Sequence, residues 1–432
     1  MPEELQKVLR MRDLIAFAIM TMVPIAPMGI YGIVAVLSGG HVPLVYLLAA
    51  LAMSVTAWAY GQFAYRYPEA GSVYAYVRET LGSHIGFIAG WVILLDYILI
   101  PALVILVSAL WLEAETGISM IIWAIAFLAP MTILNILGIK MTARATMALF
   151  LFETAVFAVF VIASIVKIVT DPNLTFTLKP FYNPDTFTLN AILTGASVAV
   201  LSFLGFDIMT TLAEETIEAR KVVSRAVVLV IPIITFFFVT QTYLAAVIHP
   251  GYNFDNPDVA FFYIAEEAGG RWLQLLTMLG TVLAWGLGDT LAAQAGVSRV
   301  LFSMGRQGHL PRIFAKIHPK YKTPYVSILI VAAITGLLIY LLTLKDLSSL
   351  INFGALTAFA LLHVSLAYRF VKIENRPALA VVPGIGFLLT GAIWYGLDIF
   401  AKEVGLVWLT IGIVYLAYIT RGFKVKTILP VE

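Results

Sequence analysis

Apolar stretches of about 20 residues recur along nearly the whole chain, and they constrain its fold more than any other feature. A stretch of this length crosses the hydrocarbon of a bilayer as an α-helix, whereas the strands of a membrane barrel alternate in polarity over about 10 residues. Only 12% of the 432 residues are charged, against about a quarter in a typical soluble domain. The sequence therefore predicts an all-α polytopic membrane protein, with a single membrane domain over residues 1–432.

Twelve stretches are long and apolar enough to be transmembrane helices. When the N-terminus is placed inside, all but five of the 27 Lys and Arg residues fall on the inner side of the membrane. Because cytoplasmic loops carry the excess of Lys and Arg, both termini are predicted to be cytoplasmic, in a multi-pass protein of the cell membrane. The predicted spans are 14–37, 43–65, 85–111, 118–138, 145–168, 190–212, 224–248, 272–300, 325–344, 347–368, 379–400 and 403–420.

The first span is interrupted by Pro24 and Pro27, with Gly29 close behind. Each proline removes a backbone donor, so a helix entering this stretch is expected to kink or open. An opened helix is tolerated in a membrane only where its backbone is buried in protein or lines a wet cavity. The break is therefore a candidate binding site; the alternative is a kinked helix without a ligand.

A second break is predicted in span six, where Gly205 and Asp207 lie in the middle of an apolar run. Spans one and six are five spans apart, and a repeat of five spans re-enters the membrane from the opposite side. Inverted-repeat transporters carry their discontinuous helices at such matching positions. We therefore predict inverted repeats at about 14–168 and 190–368, followed by two peripheral helices at about 379–420.

Four segments resemble signature segments of the amino acid, polyamine and organocation transporter superfamily. They are Tyr67-Pro68-Glu69-Ala70-Gly71 after span two, Asn135-Ile136-Leu137-Gly138 at the end of span four, Phe203-Leu204-Gly205-Phe206-Asp207 with Glu214-Glu215 in and after span six, and Ser298-Arg299-Val300-Leu301-Phe302 with Arg306-Gln307-Gly308 after span eight. The resemblance implies a LeuT-like core of five plus five helices, with helices 1 and 6 discontinuous, and alternating access around a central site. Leu95-Asp96-Tyr97 in span three and the proline break are most similar to putrescine importer-like permeases.

The first break departs from the pattern of the amino acid carriers in that superfamily. Those carriers usually place a Gly-Ser-Gly type segment here, and its N–H groups hold the substrate carboxylate. Pro27 occupies one of the glycine positions and Pro24 lies just before it, so two donors are missing. The N–H groups of the remaining residues are predicted to contact the substrate; these residues are Ile25, Ala26, Met28 and Gly29. The loss of donors favours a cationic amine without a carboxylate, or a different pose.

Acidic side chains in mid-span are functional candidates, because a charge in lipid costs at least about 2.5 kcal/mol. We predict that Asp289 attracts a cationic substrate. Asp96, Glu153 and Asp207 are predicted to act in gating or proton coupling; for Asp207 the alternative is an acid that stabilises the reopened helix. Some proton-coupled members of the superfamily carry a lysine where this chain has Glu153, so their lysine mechanism does not transfer. Asp398 near the end of span eleven is expected to reach the interface.

Aromatic residues close to the breaks are candidates for an ammonium site, with packing as the alternative. Phe203 is assigned with Gly205 to substrate binding and Phe206 to the gate, while Tyr31 and Tyr97 are further candidates. The charged residues after span six, Glu214 to Arg225, are expected to form a solvated loop with salt bridges. No metal site is predicted, since the six histidines lack ligand spacing.

These observations predict a secondary active transporter that moves amino acids or polyamines by alternating access, without a cofactor and without nucleic acid. Proton-coupled uptake of a cationic amine such as putrescine is slightly favoured. An amino acid exchanger or a sodium symporter is the alternative, and a transporter-shaped sensor that binds a ligand without moving it is a further one. A membrane enzyme is disfavoured, because no nucleophile, base and orienting residue occur together in a recognisable motif.

Overall fold

The computed structural model describes residues 7–425, apart from the side chains at positions 114, 344, 345 and 349. Residues 1–6 and 426–432, on which the predicted cytoplasmic placement of the termini partly rests, lie outside the described residues. Helices account for 81% of the structure, with no strands in the described range, as predicted for an all-α protein. The breaks in the first and sixth spans contact each other through Thr21 and Gly205.

We number the α-helices in chain order. They are α1 (Met11–Met22), α2 (Ala26–Ser38), α3 (Val42–Arg66), α4 (Ser72–Leu81), α5 (Ser83–Thr116), α6 (Met120–Leu137), α7 (Ile139–Thr170), α8 (Leu189–Ala199), α9 (Ala219–Ile248), α10 (Ala260–Gly269), α11 (Arg271–Leu283), α12 (Thr290–Arg306), α13 (Tyr325–Leu341), α14 (Leu344–Tyr368), α15 (Val381–Tyr395) and α16 (Ile399–Ile419). Shorter 3-10 turns cover Val200–Phe203, Phe206–Glu215, Pro257–Val259, Arg312–Ala315 and Pro377–Ala380, and π-helical turns cover Ala284–Asp289 and Arg369–Ile373.

Within the described range, 10 helices are long and apolar enough to cross a membrane, and the bent pair α1 and α2 makes an eleventh span. The remaining predicted span corresponds to α13, which is apolar but has only 17 residues. The prediction of a polytopic helical membrane protein is confirmed. The count of twelve spans and the division into inverted repeats stay predictions.

The first break lies between α1 and α2, which meet at about 40°. Pro27 falls in the first turn of α2, where a missing N–H does no harm because it would have no partner in the helix. Val23 adopts a φ of 53°, a conformation that β-branched residues rarely enter and that costs on the order of 1–3 kcal/mol. The carbonyl of Pro24, freed by the break, accepts a hydrogen bond of 2.8 Å from the Gln241 side chain on α9.

The second break follows α8, where the chain passes through a 3-10 turn and reaches Gly205 at a φ of 95°. The Gly205 carbonyl accepts a hydrogen bond of 2.9 Å from Thr21 Oγ1 in the last turn of α1. A Cβ on Gly205 would lie only 2.9 Å from the Cβ of Thr21, so only glycine permits this approach. Both predicted discontinuities are therefore present, and they contact each other.

One expectation about the loop after span six was wrong. Glu215 is fully buried and forms a two-pronged ion pair with the buried Arg299 of α12, at 2.7 and 3.0 Å. Its carbonyl also accepts hydrogen bonds of 2.9 Å from the N–H groups of Val8 and Leu9, so the segment before α1 is joined to the same point. Glu214 does form the expected half-exposed ion pair, with Arg306.

We expect Glu215→Gln to destabilise the protein strongly, because it leaves the Arg299 guanidinium buried without a counter-charge. Breaking a buried pair costs about 3–5 kcal/mol, whereas replacing both partners by apolar groups is often nearly neutral. Melting in detergent should therefore occur at a lower temperature for Glu215→Gln than for the double variant Glu215→Leu with Arg299→Met. Equal loss in Glu215→Gln and in the exposed control Glu218→Gln would contradict this role of the ion pair.

Candidate functional site

A cavity of about 50 Å³ lies where the two breaks meet α5 and the π-helical turn before α12. Its walls are mostly apolar, as those of small-molecule sites generally are. The lining residues are Thr21, Met22, Val23, Ala26, Ile30, Ile100, Leu103, Val104, Leu201, Ser202, Leu204, Trp285 and Asp289.

Two of the seven predicted substrate residues, Ala26 and Asp289, line this cavity. The other five are placed beside it. Gly29 lies behind Trp285, and a Cβ at Gly29 would come within 2.6 Å of the indole, so the glycine makes room for the tryptophan that lines the cavity. Phe203 packs against Phe238, with ring centroids 4.9 Å apart, and not against the cavity.

Ile25, Met28 and Gly205 support the cavity wall from behind. Gly205 allows the contact with Thr21 described above. Ile25 and Met28 are buried, and the Met28 N–H donates to the Ile25 carbonyl at 2.9 Å. The neighbouring Ala26 N–H donates to the Val23 carbonyl at 2.8 Å, and Pro27 has no N–H. The N-terminus of α2 therefore has few donors left for a carboxylate, fewer than the sequence alone indicates.

Asp289 is the single charged side chain among the lining residues. It ends the π-helical turn and is 5% exposed, and its Oδ1 has no hydrogen-bond partner among residues 7–425. Turns of this kind interrupt the regular ladder and occur frequently at functional sites. A carboxyl in the wall of an apolar cavity, with one oxygen left without a partner, favours a ligand that brings a donor and a positive charge.

Asp207 lies at the centre of a buried cluster of hydroxyl groups. Its Oδ2 accepts hydrogen bonds from Tyr60 of α3 at 2.6 Å, from Ser72 of α4 at 3.3 Å, and from Tyr97 of α5. Ser72 also bonds to Tyr97 at 3.0 Å. These contacts join the second break to three helices. Phe206, the other predicted gate residue of this segment, packs its ring edge against Tyr60 at 5.6 Å between centroids.

The cluster around Asp207 lies between the cavity and the end of the molecule that carries Arg66. Tyr97 lies about one turn from the cavity-lining Ile100, and Tyr60 lies less than two turns before Arg66 at the end of α3. All members are buried. The cluster therefore lies between the cavity and that end of the molecule, and its role as a gate stays a prediction.

Asp96 and Glu153 are fully buried and do not line the cavity. None of their four carboxyl oxygens has a hydrogen-bond partner within the described residues. Asp96 lies on α5 where α14 comes close, since a Cβ on Gly354 would be 2.9 Å from the Asp96 nitrogen. Glu153 lies behind the π-helical turn, with Oε1 3.3 Å from the Cβ position of Gly288. The structure therefore places these two acids near the site but not in one cluster with Asp207.

The remaining predictions concern residues away from the cavity. Asp398 caps α16, where its side chain accepts a hydrogen bond of 2.8 Å from the Ala401 N–H. Tyr31 is buried with its ring edge against Phe261, at 5.8 Å between ring centroids. This placement agrees with the alternative that Tyr31 is a packing residue. Within residues 7–425, no group of three or more His, Asp or Glu side chains is arranged to hold a metal ion.

Comparison with known families identifies the type of protein. The amino acid permease family matches residues 9–431. The chain belongs to the amino acid permease family. The predicted resemblance to this class of transporters is thereby confirmed, and the permease is a multi-pass membrane transporter and not an enzyme.

Three characterised relatives illustrate the substrates found in this family. The low-affinity putrescine importer PlaP of Escherichia coli K12 is 34% identical over 98% of the permease and 95% of its own length. The branched-chain amino acid permease BcaP of Bacillus subtilis is 28% identical over 91% and 88% of the two chains. The vacuolar cationic amino acid transporter 4 of Arabidopsis thaliana is 27% identical over 87% of the permease and 65% of its own length.

Sequence reasoning missed three residues that the site of the permease uses. Tyr60 and Ser72 donate to Asp207, and Trp285 lines the cavity. Ser72 directly follows Gly71 in the segment after span two that resembles the superfamily, so its place in a signature was visible in the sequence. Tyr60 and Trp285 gave no such signal, because tyrosine and tryptophan in a span are also ordinary packing residues.

We expect the double variant Tyr60→Phe with Tyr97→Phe to open the path from the cavity to the Arg66 end more often. The variant removes two hydrogen-bond donors to a buried carboxyl, each worth about 1.5–3 kcal/mol. It should therefore lower the ratio of closed to open molecules at least about tenfold. The chain has no cysteine, so a single Leu201→Cys in the cavity wall is a clean reporter.

Labelling of this cysteine by an impermeant maleimide, applied to inverted vesicles, should be faster in the double variant. Tyr31→Phe, which removes a buried hydroxyl away from the cluster, serves as the matched control. If the two variants label at equal rates, Asp207 and its hydroxyl partners do not hold the path closed.

Proposed function

We propose that the permease is a secondary active transporter that takes up a small cationic amine, with putrescine favoured, and drives this uptake with protons. The observation that carries the proposal is the polarity of the cavity: one unpartnered carboxyl, Asp289, faces it, while no basic side chain lines it. An anionic substrate would meet repulsion there. An ammonium group would be attracted by the carboxyl and could donate to it.

The state of the first break supports an amine without a carboxylate. An amino acid needs donors for its carboxylate as well as an acceptor for its ammonium group. The N–H groups of Ala26 and Met28 are already bonded within the break, and Pro27 offers none. A diamine has no carboxylate to satisfy: one ammonium group would bond to Asp289, and the other would lie against the ring of Trp285.

The remaining walls suit the aliphatic part of such a substrate. Ile100, Leu103 and Val104 of α5 present apolar surface, and Trp285 presents an aromatic ring on which a cation can rest. The relative at 34% identity is named a low-affinity putrescine importer, in agreement with this reading. Low affinity is expected of a site that relies on one charged contact.

Amino acid transport, by exchange or with sodium, is the second candidate. It is favoured by the names of the relatives from Bacillus subtilis and Arabidopsis thaliana, which are amino acid transporters at 28% and 27% identity. In that case the carboxylate would have to find donors other than those of Ala26 and Met28. Ser202, whose side chain lines the cavity and shares a hydrogen bond of 3.0 Å with Tyr46, is one available donor.

Proton coupling is proposed from the buried acids around the cavity. A charge on Asp289 would repel a charge on Asp96 or on Glu153, and a charge on Asp207 would also repel one on Asp96. No basic side chain forms an ion pair with these four acids among the described residues. Buried acids that repel one another are neutralised by protons or cations. We propose that arrival of a cationic substrate at Asp289 changes the protonation of this group, and that opening of the Asp207 cluster completes the cycle.

We expect proteoliposomes containing the permease to accumulate radiolabelled putrescine when an inward proton gradient is imposed. Asp289→Asn should raise the KM for putrescine about 10- to 100-fold, the effect of losing one charged hydrogen bond worth about 1.5–3 kcal/mol. The exposed loop variant Asp185→Asn is the control and should behave as the wild type. Accumulation of amino acids with putrescine ignored would overturn the substrate class but leave the transporter intact.

Glu153→Gln is expected to separate coupling from binding, because Glu153 is near the site but does not line the cavity. Putrescine exchange across the membrane without a gradient should persist, while gradient-driven accumulation should be lost. The two are measured in the same proteoliposomes by counterflow and by net uptake. Undiminished proton-driven accumulation in Glu153→Gln, Asp96→Asn and Asp207→Asn alike would contradict coupling through these acids.

A further inference from the structure

A second groove, of about 210 Å³, lies between α3 and α9, away from the central cavity. It opens on the outer surface of the helix bundle, where Tyr65 is 46% exposed and Val228 is 38% exposed. The two helices come close at its floor, because a Cβ on Gly61 would lie 2.9 Å from the Ser224 carbonyl. The lining residues are Trp58, Gly61, Gln62, Tyr65, Ser224 and Val228.

The polar groups of this groove are mainly donors. The side-chain oxygen of Gln62 already accepts a hydrogen bond of 2.9 Å from Arg66, so only the NH2 group of this side chain remains available. Trp58 Nε1, the Gln62 NH2 group and the Tyr65 hydroxyl have no hydrogen-bond acceptor within the described part of the chain. No carboxylate lines the groove. Such a set of donors suits an anion.

Three cations stand at the rim of the groove, where α9 begins. Arg220 lies over the Tyr65 ring, with the guanidinium carbon 4.2 Å from its centroid. Arg220, Lys221 and Arg225 are all exposed, and none of them forms an ion pair in the described structure, including with the neighbouring Glu218. Arg66, by contrast, is held by Glu374 at 2.8 Å. The rim therefore carries positive charge that no protein group neutralises.

On both helices, the groove becomes less polar with distance from the end that carries Arg66 and Arg220. On α9, Arg220, Ser224 and Val228 are spaced by four residues, so they share one face that runs from charged to apolar. On α3, Tyr65 lies near the Arg66 end and Trp58 lies about 10 Å further along the helix. The charged end is the one predicted to face the cytoplasm.

We propose that this groove binds an anionic phospholipid of the cytoplasmic leaflet. The phosphate lies at Arg220, with Lys221 and Arg225 adding attraction, and the donors of Trp58, Gln62 and Tyr65 face the polar glycerol region. An acyl chain then follows the apolar part beside Val228. Basic pockets between transmembrane helices at this membrane surface are suited to anionic headgroups, whereas a soluble phosphate would gain nothing from the apolar end.

The test is lipid binding to the purified full-length permease in a neutral detergent, followed by native mass spectrometry. Phosphatidylglycerol and phosphatidylcholine with identical acyl chains are titrated, and glycerol 3-phosphate is added in excess as a soluble competitor. We expect phosphatidylglycerol to bind more tightly than phosphatidylcholine and to remain bound in the presence of glycerol 3-phosphate.

Three variants make the test specific to the groove. Arg220→Gln should weaken phosphatidylglycerol binding about fivefold, the effect of one cation near a charged membrane surface. Trp58→Phe keeps the ring that packs near Phe370, removes one donor, and should weaken binding in the same direction. Arg144→Gln removes an exposed charge near the start of α7, on the side of the membrane predicted to be cytoplasmic but away from the groove. It should leave phosphatidylglycerol binding unchanged.

Several results would overturn the proposal. Equal binding of the two lipids would exclude a headgroup site, and displacement by glycerol 3-phosphate would indicate a site for soluble phosphate. An equal effect of Arg144→Gln and Arg220→Gln would mean that the surface attracts anionic lipid without a groove. Melting curves and elution as a single species show whether each variant is folded. If Arg220→Gln does not fold, Trp58→Phe still tests the proposal.

Discussion

Backbone groups that leave a helix inside a membrane must find hydrogen bonds within the protein, and this requirement organises the centre of the permease. The carbonyl freed at Pro24 is bonded by Gln241, and the carbonyl of Gly205 is bonded by Thr21 of the other broken span. Each break is therefore satisfied by a neighbouring element. Because the two breaks hold each other, they create a cavity between them without exposing backbone to lipid.

The chemistry of the cavity follows from how those bonds are made. The first break is tightened by hydrogen bonds from the N–H groups of Ala26 and Met28 to carbonyls one turn back, so these donors are not free for a ligand. In the proposed function, recognition then depends on a side chain, Asp289, at the end of the π-helical turn. The proposed gate is the separate cluster of hydroxyl groups around Asp207. The two proposed roles therefore fall on different elements of the fold.

Much of this arrangement was predictable from particular residues. Prolines at 24 and 27 and a glycine at 205 marked the breaks, because few other residue types interrupt a helix so strongly. Acids in apolar spans marked Asp207 and Asp289, because charge in lipid is costly. The family was recognised from short segments with conspicuous glycine, proline and charge. These signals are local in the sequence.

What could not be predicted depends on contacts between distant residues. The burial of Glu215 requires Arg299, 84 residues later, and the donors to Asp207 come from three different helices. The positive φ of Val23, whose carbonyl accepts the Ala26 N–H, is a conformation that a β-branched residue does not indicate. Of the seven predicted substrate residues, two line the cavity and five do not, since the sequence shows where a helix breaks but not which side chains face inward. Their roles in binding stay predictions.

The measurement that tests this account most directly is a comparison of equilibrium binding by two ligands with the same four-carbon chain, putrescine and 4-aminobutanoate. They share one ammonium group and differ only in whether a second ammonium or a carboxylate stands at the other end. A cavity that offers the Asp289 carboxyl and few free backbone donors should bind putrescine more tightly, by about tenfold or more. Equal or tighter binding of 4-aminobutanoate would contradict the account, because it would require carboxylate donors other than the N–H groups of Ala26 and Met28, which are already bonded.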